Sequence, residues 1–197
     1  RGPVSLGIAI VSGKTVIPVE RWAEKPFRLA ISSWRRIEDN SLSPRIKSTG
    51  NYVNGRMALI QADADGYDGV LMLDARGHVT EEPRGCFFMV RKGKAITPPV
   101  TNDILESITR ETLIQLLSEE HGIEVQEREI DRTEVYVADE MFLCGTGMEI
   151  TPVGVVDRFS ISDSRPGPVT TALRETYMTM VSAESDLHPE WRTSVYT

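Results

Sequence analysis

The chain has 197 residues, 40% of them hydrophobic and 26% charged, which suits one large domain with its own core. A net charge of −7 and a pI near 5.1 argue against nonspecific binding to nucleic acid. Two cysteines, Cys86 and Cys144, and three scattered histidines, His78, His121 and His188, provide neither a disulfide framework nor metal-ligand spacing, so no metal is expected.

In chain order, Val4–Val11 and Arg28–Trp34 read as strands, with Ser12-Gly13-Lys14 a turn after the first. Asp39 to Pro44 is a polar loop, and a helical pattern begins shortly after Lys47. Val53, Met57, Ile60 and Ala64 recur at helical spacing, and Gly66 sits where a C-terminal cap belongs. Val70–Leu73 is a short strand ending in the turn Asp-Ala-Arg-Gly. Cys86–Val90 and Ala95–Thr97 flank Arg91-Lys92-Gly93-Lys94 as a hairpin. Ser107–His121 is the clearest helix, with Leu113, Leu116 and Leu117 on its apolar face and Gly122 closing it. Glu124–Ile130 alternates like a strand. Met141–Cys144 and Ile150–Val156 are strands around the turn Gly145-Thr146-Gly147, and Pro168 to Val181 reads as a last helix with proline at its start. Strands and helices alternate without a strict βαβ rhythm, which predicts an α+β or mixed α/β fold. No apolar run approaches the ~18 residues that cross a bilayer and no signal-peptide pattern opens the sequence, so a soluble cytoplasmic protein is expected. The sequence begins at Arg1 without methionine and enters a strand-like run almost at once. That start reads as a chain whose N-terminal part has been removed or lies on a separate polypeptide.

Lysine is scarce: Lys14, Lys25, Lys47, Lys92 and Lys94 stand against seventeen arginines. Lys14, Lys92 and Lys94 fall in predicted turns, and Lys25 precedes a proline. Lys47 alone falls at the junction of a loop and a helix, where a cleft can hold an amine and depress its pKa for covalent chemistry. On spacing alone, a plain surface lysine is the readier reading of Lys47. Glu81 and Glu82 stand side by side, either one an ordinary surface acid. Tyr52 and Leu105 read equally as core residues, and Gly-Thr-Gly as a common tight turn. Ser107-Ile108-Thr109 opens a helix whose free N–H groups and dipole favour an anion, as every helix start does.

The ordered blocks Lys47-Ser-Thr-Gly-Asn-Tyr52, Gly66-Tyr67-Asp68, Leu73-Asp74, Val79-Thr-Glu81, Ile104-Leu-Glu-Ser-Ile-Thr-Arg110 and Ala138-Asp139-Glu140 to Gly145-Thr-Gly-Met-Glu-Ile-Thr-Pro152 resemble the fold type IV (class IV) pyridoxal-phosphate aminotransferases. The resemblance covers about residues 30 to 180, and the last block is most similar to branched-chain amino acid aminotransferases. It implies that residues 1–197 are the large cofactor-binding domain, with a barrel-like sheet flanked by helices. It implies pyridoxal phosphate as cofactor, and an amino acid and a 2-oxo acid as substrates. A homodimer or larger assembly is implied, with the family's small N-terminal domain absent or carried by a separate fragment. Lys47 would form the Schiff base and shuttle the proton, and Glu81 would pair with the pyridine nitrogen. Tyr52 would donate to the ring's phenolate oxygen, and Leu105 would pack on the ring. Ile108, Thr109 and Thr146 would bind the phosphate, while the backbone amides of Gly147 and Met148 would receive the substrate carboxylate.

The chain departs from the family pattern at Glu82-Pro-Arg-Gly-Cys86, where the family usually runs Gly, small residues, then Glu-Asn or Ser-Asn. With the family's small N-terminal domain expected to be absent or separate, an arginine that usually binds the phosphate is expected to go with it. Aminodeoxychorismate lyase, an (R)-amine or D-amino-acid aminotransferase, and a noncatalytic or incomplete subunit therefore stand as alternatives to a branched-chain aminotransferase.

Overall fold

The structure, a computed structural model, describes residues 25–193. The expected strand Val4–Val11 and its following turn lie outside the described residues. Strands β1 (Phe27–Arg35), β2 (Gly69–Leu73), β3 (Cys86–Arg91), β4 (Lys94–Thr97), β5 (Val125–Glu127), β6 (Glu140–Gly145), β7 (Glu149–Val156) and β8 (Phe159–Ser160) form one sheet. Its order is β2-β1-β7-β6-β3-β4-β5, with β8 paired to β7. β1 runs parallel to β2 and β7, and β4 parallel to β5; the other pairs are antiparallel. Parallel neighbours need a crossover. Helix α1 (Tyr52–Ala64) bridges β1 to β2, and helix α2 (Ile108–Glu119) bridges β4 to β5. Helix α3 (Pro168–Val181) follows the sheet, with Pro168 in its first turn. This is the mixed α/β sheet with flanking helices that the sequence predicts.

Alternation along the central strands sorts side chains onto two faces, as a sheet buried on both sides requires. Phe87 and Met89 of β3, with Met141 and Leu143 of β6, join Leu29, Leu71 and Val153 in one cluster. Cys86, Phe88 and Val90, with Phe142 and Cys144, face the other way and pack on Leu113, Leu116 and Leu117 of α2 and Leu173 of α3. Leu113, Leu116 and Leu117, the expected apolar face of α2, are fully buried. Positive φ at both Lys92 and Gly93 makes the β3–β4 connection a two-residue turn with the twist hairpins prefer.

Two expectations are sharpened, and three short elements are new. The Val53, Met57, Ile60 row of α1 is exposed, at 62, 43 and 55%. The helix packs instead through Gly55, Ala58 and Ala62, whose small size lets it lie close: a Cβ on Gly55 would stand 2.5 Å from the Pro83 side chain. The strand expected over Glu124–Ile130 shortens to Val125–Glu127, because its partner β4 has only four residues. Ile130 is still buried, and its carbonyl accepts from Val79 N–H at 2.9 Å. The 3₁₀ turns Arg132–Val137 and Pro189–Trp191, together with β8, lack a pattern long enough to read from sequence.

The buried Glu140 carboxylate at the start of β6 caps α3, accepting from Val169 N–H (3.0 Å), Thr170 N–H (2.8 Å) and the Thr170 hydroxyl (2.6 Å). These are orphan donors of a helix start, which favours negative charge. Glu140→Ala strands them, and we expect a loss of ~2–4 kcal/mol in urea unfolding. A change below ~0.5 kcal/mol would show that α3 does not depend on this cap.

Candidate active site

After β2 the chain turns at Asp74–Gly77 and returns alongside the strand it has just left. Thr80 N–H donates to Met72 O at 2.9 Å and Met72 N–H to Glu81 O at 3.1 Å. This return delivers two adjacent carboxylates into the protein, Glu81 at 5% and Glu82 at 1% exposure. They take different partners. Arg84 holds Glu82 from Nε (2.8 Å) and Nη2 (2.6 Å). Glu81 receives Arg36 Nη2 on Oε1 at 2.6 Å and Leu105 N–H on Oε2 at 3.1 Å.

Arg36, buried at 8%, is the functional candidate that sequence reasoning missed. It directly follows β1, its N–H bound to Leu73 O at 2.8 Å and its Nε to Asp103 O at 3.2 Å. No motif distinguishes it among seventeen arginines; the one available signal was its position leaving a strand. Burial raises the Glu81 carboxyl to about 7, with Arg36 and the Leu105 amide opposing and Glu82 adding to the rise.

The loop carrying Lys47 is tied at both ends. Arg45 bridges Asp39 (2.5 Å) and Glu106 (2.9 Å) and donates to Val100 O (3.0 Å). The Asn51 amide, buried just before α1, donates to Ser43 O (2.8 Å) and Ile46 O (2.6 Å). Lys47, Tyr52, Glu81, Leu105, Thr146 and Gly147 all line one cavity of about 280 Å³. Arg36, Asn51 and Ser107 line it too. Tyr52 is 43% exposed and Leu105 only partly buried, so neither is the plain core residue that stood as its alternative. The neighbouring core position is filled by Ile104.

Ile108 and Thr109 do not line this cavity. They border an adjoining groove that also includes Thr146 and Tyr177. Ile108 is 88% exposed, Thr109 is buried, and Ser107 caps α2 through a hydroxyl that accepts from Arg110 N–H at 3.4 Å. The start of α2 and Thr146 thus stand where the two openings meet. Met148 lies outside the lining: its side chain packs against the core and its N–H donates to Gly145 O at 3.1 Å, closing the β6–β7 turn. Of the two amides expected for a carboxylate, the Met148 N–H is therefore already engaged.

Two features bear on a bound group. Asn51 Oδ1 is buried at the cavity without a hydrogen-bond partner, a position that calls for a donor from elsewhere. Gly147 has no positive φ, and a Cβ there would meet nothing within 4 Å. Neither backbone conformation nor internal packing demands glycine at this position, and the open space lets another molecule approach the main chain. A compact anionic group fits the donors that remain once Glu81 and Glu82 are paired with Arg36 and Arg84: the Lys47 amine, hydroxyls at Tyr52, Ser107 and Thr146, and a helix start.

The Glu81 shift makes a stability statement. Its folded pKa of about 7 exceeds the ordinary 4.5, so the folded state binds the proton more tightly. The contribution is full below pH 4.5 and is lost as pH rises through 7. At ~1.4 kcal/mol per unit, the swing is about 3 kcal/mol. Relative to Glu81→Gln, the parent chain should therefore lose stability across that interval in urea titrations. A difference independent of pH would contradict the burial argument.

Known proteins resemble this chain over most of its length. It is 40% identical over 176 residues to the branched-chain-amino-acid aminotransferase of Pseudomonas aeruginosa, covering 89% of this chain and 57% of that protein. It superposes with a TM-score of 0.85 on the branched-chain amino acid aminotransferase of Thermobaculum terrenum in its PLP-form, at 46% identity, covering 89% and 58% of the two chains. The branched-chain aminotransferase of Thermoproteus uzoniensis with norvaline matches at 40% identity and a TM-score of 0.82, covering 87% and 56%. The chain thus spans little more than half the length of these relatives. The model of the amino-transferase class IV family matches residues 3–156, and the chain belongs to that family.

Proposed function

We propose that this chain is the large cofactor-binding domain of a pyridoxal-phosphate-dependent aminotransferase that exchanges the amino group between a branched-chain L-amino acid and a 2-oxo acid. The observation that carries the reading is the convergence of Lys47, Tyr52, Glu81 and Thr146 on one cavity, with Glu81 backed by the buried Arg36. Relatives of 40–46% identity that are branched-chain aminotransferases support the substrate class. A cytoplasmic homodimer or larger assembly completes the proposal. The exposed apolar row of α1 supports a covered surface of that kind.

When bound, pyridoxal phosphate supplies an electron-withdrawing ring that accepts the electron pair released as the substrate's α C–H bond breaks. The Lys47 amine would hold the cofactor covalently and, once freed, would carry the proton between the substrate α-carbon and the cofactor's C4′ carbon. Glu81, with its proton affinity raised to about 7 by burial, holds the ring nitrogen's proton. Arg36 at 2.6 Å keeps that carboxylate aimed and opposes its neutralisation. Tyr52 donates its hydroxyl to the ring oxygen and Leu105 packs on the ring. The phosphate is held by the amides and hydroxyls at Ile108, Thr109 and Thr146, where the α2 dipole favours an anion. The Gly147 amide receives the substrate carboxylate; the Met148 amide joins it only by releasing Gly145 O.

The test is the visible spectrum of the protein with pyridoxal phosphate, before and after L-leucine. A band that bleaches with L-leucine and returns with a 2-oxo acid is expected, and Lys47→Ala should abolish it. A band that ignores L-leucine but responds to D-alanine, an (R)-amine or aminodeoxychorismate would overturn the substrate class. A band retained by Lys47→Ala would overturn the site.

A further inference from the structure

The two cysteines take no part in the function proposed above, yet they meet. In the β3–β6 ladder Cys86 lies directly opposite Cys144, two residues along from the pair Phe88 and Phe142. The rings of that pair stack with centroids 5.0 Å apart and planes 7° apart, so opposed side chains on this face stand against one another. Directly opposed residues of an antiparallel pair have Cα atoms ~4.5 or ~5.5 Å apart, depending on the hydrogen-bond phase. Both spacings fall within the ~4.4–6.8 Å that a disulfide spans. Both cysteines are free and buried, at 3% and 0% exposure, and both line the 280 Å³ cavity. Burial pushes the Cys144 thiol well above its usual range, and the neighbouring Cys86 thiol adds to the rise. Such a pair stays reduced until an oxidant enters the cavity.

From this register we propose that Cys86 and Cys144 form a modification site: a dithiol in the cavity wall that a peroxide converts reversibly into a cross-strand disulfide. The less deeply buried Cys86 sulfur attacks a peroxide oxygen, breaking the O–O bond, forming a sulfenic acid and releasing water. The Cys144 sulfur then attacks the Cys86 sulfur, expelling a second water. Two thiols lose two electrons and two protons, and hydrogen peroxide becomes two waters. The bond removes the contact from Cys86 Sγ to Leu105 O at 3.7 Å. Leu105 is the residue whose N–H holds Glu81 at 3.1 Å, so oxidation loosens an anchor of the candidate site.

The experiment counts thiols in the purified protein after graded hydrogen peroxide, with disulfide mapping by mass spectrometry. Because the chain has two cysteines, the expected result is the paired loss of both thiols, one intramolecular Cys86–Cys144 link, and full recovery with dithiothreitol. Cys86→Ser should form no intramolecular link. The proposal is overturned if both thiols survive peroxide that oxidises exposed methionines, or if each is lost singly as sulfinic acid. Adding pyridoxal phosphate should slow the oxidation by covering the wall, an arm that rests on the function proposed above. A disulfide that forms at the same rate with the cofactor present supports the dithiol and counts against the cofactor reading alone.

Discussion

The candidate site depends on one buried ion pair. Placing Glu81 at 5% exposure has a desolvation cost that a carboxylate in this position escapes by binding a proton. Arg36 and the Leu105 amide oppose that outcome from two sides, and each comes from a different segment: the end of β1 and the stretch leading into α2. The balance leaves the carboxyl near 7. A proton at that affinity can be shared with a heteroaromatic nitrogen rather than captured by either partner. The same two contacts fix the relative positions of β1, the β2 return and the stretch leading into α2, so the chemistry and the local architecture share one constraint.

The sheet makes this convergence possible. Parallel pairing of β1 with β2, and of β4 with β5, forces each connection to cross over through a helix. One crossover carries Lys47 and Tyr52, and the other carries Leu105 and the α2 start. The β6–β7 hairpin adds Thr146 and Gly147 from a third direction. Small residues permit the close approach: a Cβ at Gly85 would stand 2.8 Å from Cys144 O. The Glu82-Pro-Arg-Gly segment that departs from the family pattern is a tight turn closed by paired Glu82 and Gly85 backbone bonds. Its second carboxylate is neutralised by Arg84, so the departure brings its own counter-charge.

The fold was largely legible where periodicity was long or turn chemistry specific. The α2 leucines, the Lys92-Gly93 turn and the proline-started α3 each follow from local rules that tertiary contacts did not override. The α1 periodicity marked a helix but not its inward side, because apolar spacing reports a face without saying which face turns inward. There the small residues Gly55, Ala58 and Ala62 approached the sheet, and the larger ones stayed outside. At the site, residue types alone do not separate Lys47 from a surface lysine or Glu81 from Glu82, and the ordered family blocks are what favour Lys47 and Glu81 in the proposed reading. Arg36 was illegible because its role arises from a contact 45 residues away. The commitment of the Met148 amide to Gly145 was hidden for a related reason, since a turn hydrogen bond leaves no mark in the sequence.

The central claim is that Lys47 is the amine to which the cofactor attaches. Borohydride reduction of the protein with pyridoxal phosphate, followed by proteolysis and mass spectrometry, tests it directly by locating the phosphopyridoxyl group. The account predicts modification of Lys47 alone at a stoichiometric ratio. Modification spread over Lys25, Lys92 and Lys94, or none that exceeds that of an unrelated protein, would contradict it.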